Sequence, residues 1–121
     1  MNTTQLNRFG ILHHPKLPQS KVLARQVADF LTERGRETWI GSSWDVKSVE
    51  GNLDRLDMLV TLGGDGTMLR AARISAPACK PIIGINLGRF GFLAELQPDS
   101  WQEGLVKVLD GRYWLEERMM L

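Results

Sequence analysis

Met58-Leu59-Val60-Thr61-Leu62 is a nearly continuous apolar run, and it passes with no spacer into Gly63-Gly64-Asp65-Gly66-Thr67. Strands that read apolar at successive positions are covered on both faces, the habit of a parallel sheet. Parallel strands cannot be joined by tight hairpins and need crossovers, usually helices. Beyond the glycines, Met68, Leu69, Ala71, Ala72 and Ile74 are arranged as in a helix that Pro77 ends. Buried strand, glycine turn and helix make one unit of an α/β fold.

The rest of the chain repeats that alternation. Phe9-Gly10-Ile11-Leu12 reads as a first strand, and His13 to Pro18 as a proline-punctuated loop. Ser20 is the expected N-cap of a helix carrying Leu23, Val27, Phe30 and Leu31, with Gly35 as its stop. Glu37 to Ile40 forms a second strand, and the mixed stretch from Gly41 to Asn52 a loop with room for a short helix. Pro81-Ile82-Ile83-Gly84-Ile85 is another buried strand, followed by a glycine-rich loop from Asn86 to Glu95. Ser100 and Glu103 form a capping-box pattern opening a helix lined by Trp101, Leu105, Val108 and Leu109 and closed by Gly111. The fold class expected is α/β, a three-layer doubly wound (Rossmann-like) parallel sheet.

Composition narrows the function classes. At 121 residues the chain suits one domain with a real core. Fifteen Lys and Arg against 14 Asp and Glu leave a net charge of +1, without the basic footprint of a nucleic-acid binder. A single cysteine, Cys79, excludes an internal disulfide or a multi-cysteine metal cluster. No apolar run approaches the ~20 residues of a membrane span, and Met1 to Phe9 lacks the apolar core of a signal peptide, so a cytoplasmic protein with no membrane partner is expected.

Ligands in doubly wound sheets sit beyond the carboxyl ends of the strands, where the loops 63–67 and 86–93 both fall. Glycines at a strand-to-helix junction let backbone approach a ligand closely, and the helix N-terminus favours an anion such as phosphate. Gly63, Gly64, Gly66 and Thr67 are therefore candidate phosphate contacts. The loop lacks the Lys of a P-loop, and Leu69 stands where a dinucleotide fingerprint needs its third glycine. Asp65 is the informative departure, because a carboxylate repels phosphate. Two jobs fit it, taking a proton from an attacking hydroxyl or positioning Mg²⁺, beside the simpler reading of a helix cap.

Gly63-Gly64-Asp65-Gly66-Thr67 behind an apolar strand resembles the motif shared by NAD kinases, diacylglycerol and sphingosine kinases, and phosphofructokinases. The second loop chooses among them. Ile85-Asn86 followed by Gly88-Arg89-Phe90-Gly91-Phe92-Leu93 and Glu95 closely resembles the NAD kinase pattern, with Phe90 in place of the usual Leu. The resemblance implies phosphorylation of the 2′-hydroxyl of the adenosine ribose of NAD to give NADP, with ATP or polyphosphate as donor and Mg²⁺ as the expected cation. It makes Asp65 the catalytic proton acceptor. Gly64, Gly66 and Thr67 become main-chain phosphate holders, Arg70 and Asn86 ligand neighbours, and Phe92 a residue near the adenine of NAD. No protein-built metal site is implied.

The same family has a second, β-rich domain bearing an Asn-Glu/Asp motif and another glycine-rich motif, and neither occurs in this sequence. Residues 1–111 are thus expected to be the α/β domain and 112–121 the start of a crossover strand toward a second one. The resemblance further implies a homo-oligomer in the full-length enzyme and little activity in this chain alone. A non-catalytic nucleotide-binding module, or part of a lipid or sugar kinase, are the alternatives. His13 and His14 read as loop histidines, Cys79 as incidental, Arg73 as a solvated charge, and Trp39, Trp44, Trp101 and Trp114 as packing residues.

Overall fold

A computed structural model describes residues 6–87 and 95–110. Its elements in chain order are β1 (Arg8–His13), α1 (Pro18–Glu33), β2 (Glu37–Ser42), α2 (Val46–Asn52), β3 (Met58–Gly63), α3 (Asp65–Ser75), β4 (Ile82–Asn86), β5 (Glu95–Leu96) and α4 (Trp101–Leu109). The strands form one sheet in the order β2-β1-β3-β4-β5, and every pairing is parallel. From β1 the chain first steps outward to β2, then returns across β1 to β3 and continues outward the other way. Right-handed crossovers taken in opposite directions place their helices on opposite faces.

The core is divided accordingly. Phe9, Ile11, Met58, Val60, Leu62 and Ile85 pack with Ala24, Val27 and Leu31 of α1 and with Trp101, Leu105 and Val108 of α4. Leu12, Leu59 and Ile82, from the alternate strand positions, pack with Val49 of α2 and with Met68, Ala71 and Ile74 of α3. Two apolar layers on one sheet make the three-layer doubly wound fold expected, and every residue of β3 is buried between them. Each large side chain so enclosed contributes about 1.5–3 kcal/mol relative to exposure.

Three local expectations change. Helix α1 begins at Pro18 with Leu17 at its N-cap, and Leu17 makes no side-chain cap bond. Proline lacks an N–H and its φ is preset, which suits the first helical position. Ser20 therefore lies inside the first turn. Its buried Oγ accepts the His14 N–H at 2.9 Å and lies 2.7 Å from the Leu17 carbonyl and 2.9 Å from that of His14. Ser100 does stand at the N-cap of α4, but with φ −143° and ψ 21° it makes no side-chain cap bond, so the capping box does not close. In the stretch 41–52, Asp45 caps α2 by accepting the Ser48 N–H at 3.2 Å. The short strand β5 was not anticipated. At the end of α1, Gly35 takes φ +81°, and the N–H groups of Gly35 and Arg36 bond to the carbonyls of Thr32 and Leu31. This is the left-handed helix stop for which glycine is favoured. Gly111, with the segment 112–121 and its Trp114, lies outside the described residues.

Candidate functional site

The chain reverses its direction across the sheet between β1 and β3, and the crevice beyond the carboxyl ends of those strands is where such folds bind ligands. A groove of about 470 Å³ opens there. His14, Leu17 and Gln19, from the β1–α1 junction, form one side, and Trp44, just past β2, continues it. Gly63, Gly64, Gly66, Thr67 and Arg70, from the β3–α3 junction, form the other, with Leu87 after β4.

Gly63 makes the β3–α3 junction possible. Its φ is +157°, and a Cβ there would stand 2.5 Å from the Thr67 hydroxyl oxygen. No larger residue fits without moving Thr67, whose buried side chain is folded against the turn. The Gly63 carbonyl accepts the Leu87 N–H at 2.8 Å, and Asn86 pairs with Gly63 in the β3–β4 register. Asn86 is buried there, at the end of β4.

Gly64 and Gly66 differ in kind. Both have ordinary negative φ, and a Cβ on either would meet no atom within 4 Å. The fold itself therefore has room for a side chain at both positions. What their bareness provides is clear space on the groove wall, where backbone can approach a ligand. Gly64 is the N-cap of α3, and the first helical bond runs from Met68 N–H to its carbonyl at 3.2 Å. Helix geometry leaves the N–H groups of Gly66 and Thr67 without an acceptor inside the helix, at its positive end. Arg70, one turn further on and exposed, adds a fixed cation to the same wall.

Asp65 is the first residue of α3 and is half-buried. It is flanked by groove residues on both sides but does not itself line the groove. A phosphate on the Gly64–Thr67 face is thus not forced against the carboxylate. Phe92 lies outside the described residues. The expected phosphate contacts and Arg70 are brought to one surface, and Asn86 to the strand end next to it.

Trp44 was expected to pack, but it is 46% exposed and rims the groove. Trp101 is buried, and Trp39 packs against the α2–α3 layer. His14, read as a plain loop histidine, is a groove wall. Both were missed because pairing β1 between β2 and β3 is a matter of strand order, which local patterns do not encode. His13 ends β1 with its Nδ1 enclosed and no hydrogen-bond partner among the described residues. Burial holds its pKa below the ordinary value near 6.5, and the Lys21 charge pushes the same way. Among the described residues no three His, Cys, Asp or Glu side chains cluster as a metal cage. No described helix is long and apolar enough to cross a membrane.

The model of the ATP-NAD kinase N-terminal domain matches residues 42–113. Proteins named NAD kinase align over nearly the whole chain: 39% identical across 94% of it in Dehalococcoides mccartyi, 36% across 96% in Chloroflexus aurantiacus, and 38% across 93% in Heliobacterium modesticaldum. The chain spans about 40% of the length of these curated relatives. With the glycine junction, the doubly wound sheet and the matched segment coinciding on β3 and α3, the chain belongs to the ATP-NAD kinase N-terminal domain family.

Proposed function

We propose that this chain supplies the phosphate-holding half of an NAD kinase, which transfers the terminal phosphoryl group of ATP or polyphosphate to the 2′-hydroxyl of the adenosine ribose of NAD. The observation that carries this reading is the β3–α3 junction, where Gly64 and Gly66 keep bare backbone beside the N–H groups that open α3. Those N–H groups hold the donor's phosphates, and Arg70 neutralises their charge. Asp65, to one side of that surface, takes the proton of the attacking hydroxyl. Asn86 and Phe92 border the acceptor.

Phosphoryl transfer is mainly positioning and charge neutralisation. Mg²⁺, when bound, neutralises the phosphate oxygens. Asp65 is the one carboxylate of the glycine loop, and it would stand close to such an ion while acting as the proton acceptor. Residues 1–111 form the α/β unit of the enzyme, and 112–121 lead toward the part its relatives possess beyond it. A homo-oligomer in the cytoplasm, without nucleic-acid or membrane partners, completes the reading.

Replacing Asp65 tests it directly. In the full-length enzyme, Asp65→Asn lowers kcat by a factor of about 100 or more, the scale of a lost general base, with nucleotide affinity nearly unchanged. A parallel loss of nucleotide binding instead makes Asp65 a structural cap or a metal anchor.

A further inference from the structure

We propose that His14 is a hydrogen-bond donor to a phosphate oxygen in the groove, held in the one neutral form that can donate there and cannot serve as a base. This rests on the kinase reading above and assigns a side chain on the wall opposite the glycine junction. In the β1–β3 register Leu12 pairs with Thr61, so two residues further on His14 stands level with Gly63. Neighbouring strands lie about 4.8 Å apart. The two residues are thus facing lips of one crevice, and both line it.

The half-buried His14 is tied down around its ring. Its N–H is held by Ser20 Oγ at 2.9 Å, and its carbonyl accepts the Leu17 N–H at 3.0 Å. The Lys16 N–H bonds to the ring Nδ1 at 3.1 Å. A main-chain N–H only donates, so Nδ1 is an acceptor without a proton, and the neutral imidazole carries its proton on Nε2. Nε2 lies on the ring edge away from that bond, and among the described residues it has no acceptor. The Trp44 ring stands 5.6 Å from the imidazole at 54° and steadies it. A donor held in this way loses little freedom on binding. A tetrahedral phosphate seated on the backbone of Gly64, Gly66 and Thr67 still turns oxygens toward the opposite wall, where His14 stands. Arg70 supplies charge to the groove, and the Lys16 ammonium, 5.6 Å from the Trp44 centroid, adds a second cation beside it. His14 supplies direction, which a flexible ammonium does not. An Nε2 that keeps its proton cannot take the one released by the attacking hydroxyl, so Asp65 remains the proton acceptor.

Calorimetric titration of the chain with inorganic tripolyphosphate, and separately with NAD, tests this in the native sequence and in His14→Phe, His14→Gln, His14→Asn and Gly66→Ala. The amide N–H of Gln reaches where Nε2 stands, whereas the amide oxygen of Asn replaces only Nδ1. His14→Phe is expected to weaken at least one ligand about tenfold, with His14→Gln recovering most of the loss and His14→Asn little of it. A loss confined to tripolyphosphate assigns the oxygen to the phosphoryl donor, and one confined to NAD assigns it to the acceptor's diphosphate. Full binding in His14→Phe, no recovery in His14→Gln, or a recovery in His14→Asn as complete as in His14→Gln overturns the role of His14. The glycine junction then still stands if Gly66→Ala weakens tripolyphosphate. Nitrogen-15 spectra of the neutral ring are expected to place its proton on Nε2, and a proton on Nδ1 overturns this proposal alone. Failure of both ligands to bind the native chain overturns the kinase reading together with this one.

Discussion

Two strand-to-helix junctions meet at the carboxyl edge of this sheet, and they are built in opposite ways. Between β1 and α1 the backbone is occupied with itself. Ser20 Oγ engages His14 and Leu17, the Leu17 N–H bonds to the His14 carbonyl, and the Lys16 N–H bonds to His14 Nδ1. Between β3 and α3 the turn is built largely of bare glycine. Gly64 and Gly66 offer no side chain, and both line the groove together with Thr67. A junction knotted through its own side chains is a structural connection, and one that sets bare backbone on a groove is a place for something else to bind.

The largest expected effect falls on the β3–α3 side. Gly63→Ala should lower stability by about 2–3 kcal/mol, combining an unfavourable φ with the clash against Thr67. Urea unfolding measures it, and the penalty should shrink in a Thr67→Ala background. An unaffected midpoint would remove the distinction between Gly63 and its neighbours. Ser20→Ala should cost about 1–2 kcal/mol, since it strands the His14 N–H beside a buried site. A neutral result would mean that the β1–α1 knot is incidental.

Gly66→Ala sharpens the contrast most cleanly, because stability and binding should move in opposite directions. The fold should gain about 0.5 kcal/mol, as alanine suits the first turn and meets no neighbour, while phosphate ligands bind more weakly. A loss of stability would make Gly66 structural like Gly63. The smallest effect belongs to His13. Burial lowers its folded pKa, so the unfolded chain takes up the proton first as pH falls. Stability should therefore decline from just above pH 6.5 downward to the lower folded value, and His13→Asn should flatten that slope in denaturation curves taken at several pH values. An unchanged slope would detach the enclosed Nδ1 from the junction's stability.

Much of this was legible in the sequence for a simple reason. Buried parallel strands such as 58–62 and 82–85 are marked by their own apolar residues, and the glycines at 63–66 by their backbone demands. Ser20 misled because a proline two residues earlier set the helix start, so a residue typical of caps was drawn inside the turn. Asp45 and Ser48 carried a capping signal for α2 that the polar look of 41–52 hid. Trp44 and His14 were hardest, since each becomes a groove wall only when β1 is set between β2 and β3. Packing residues are named by local pattern, whereas site residues were gathered here by strand order.

That order also sets when the site comes into being. Asp57 Oδ2 accepts the N–H groups of Asn7 and Arg8 at 2.8 and 2.9 Å, fastening the start of β1 to the approach of β3 across 50 and 49 positions of chain. During synthesis from the N-terminus, β1, α1 and β2 can gather first, but the inner edge of β1 has no partner until β3 has emerged. The strand that closes the middle of the sheet is the one that ends in Gly63. The central pairing thus precedes the groove, whose α3 wall and Leu87 follow later in the chain, and an early-stalled chain would present its apolar β1 edge without any competence to hold a ligand.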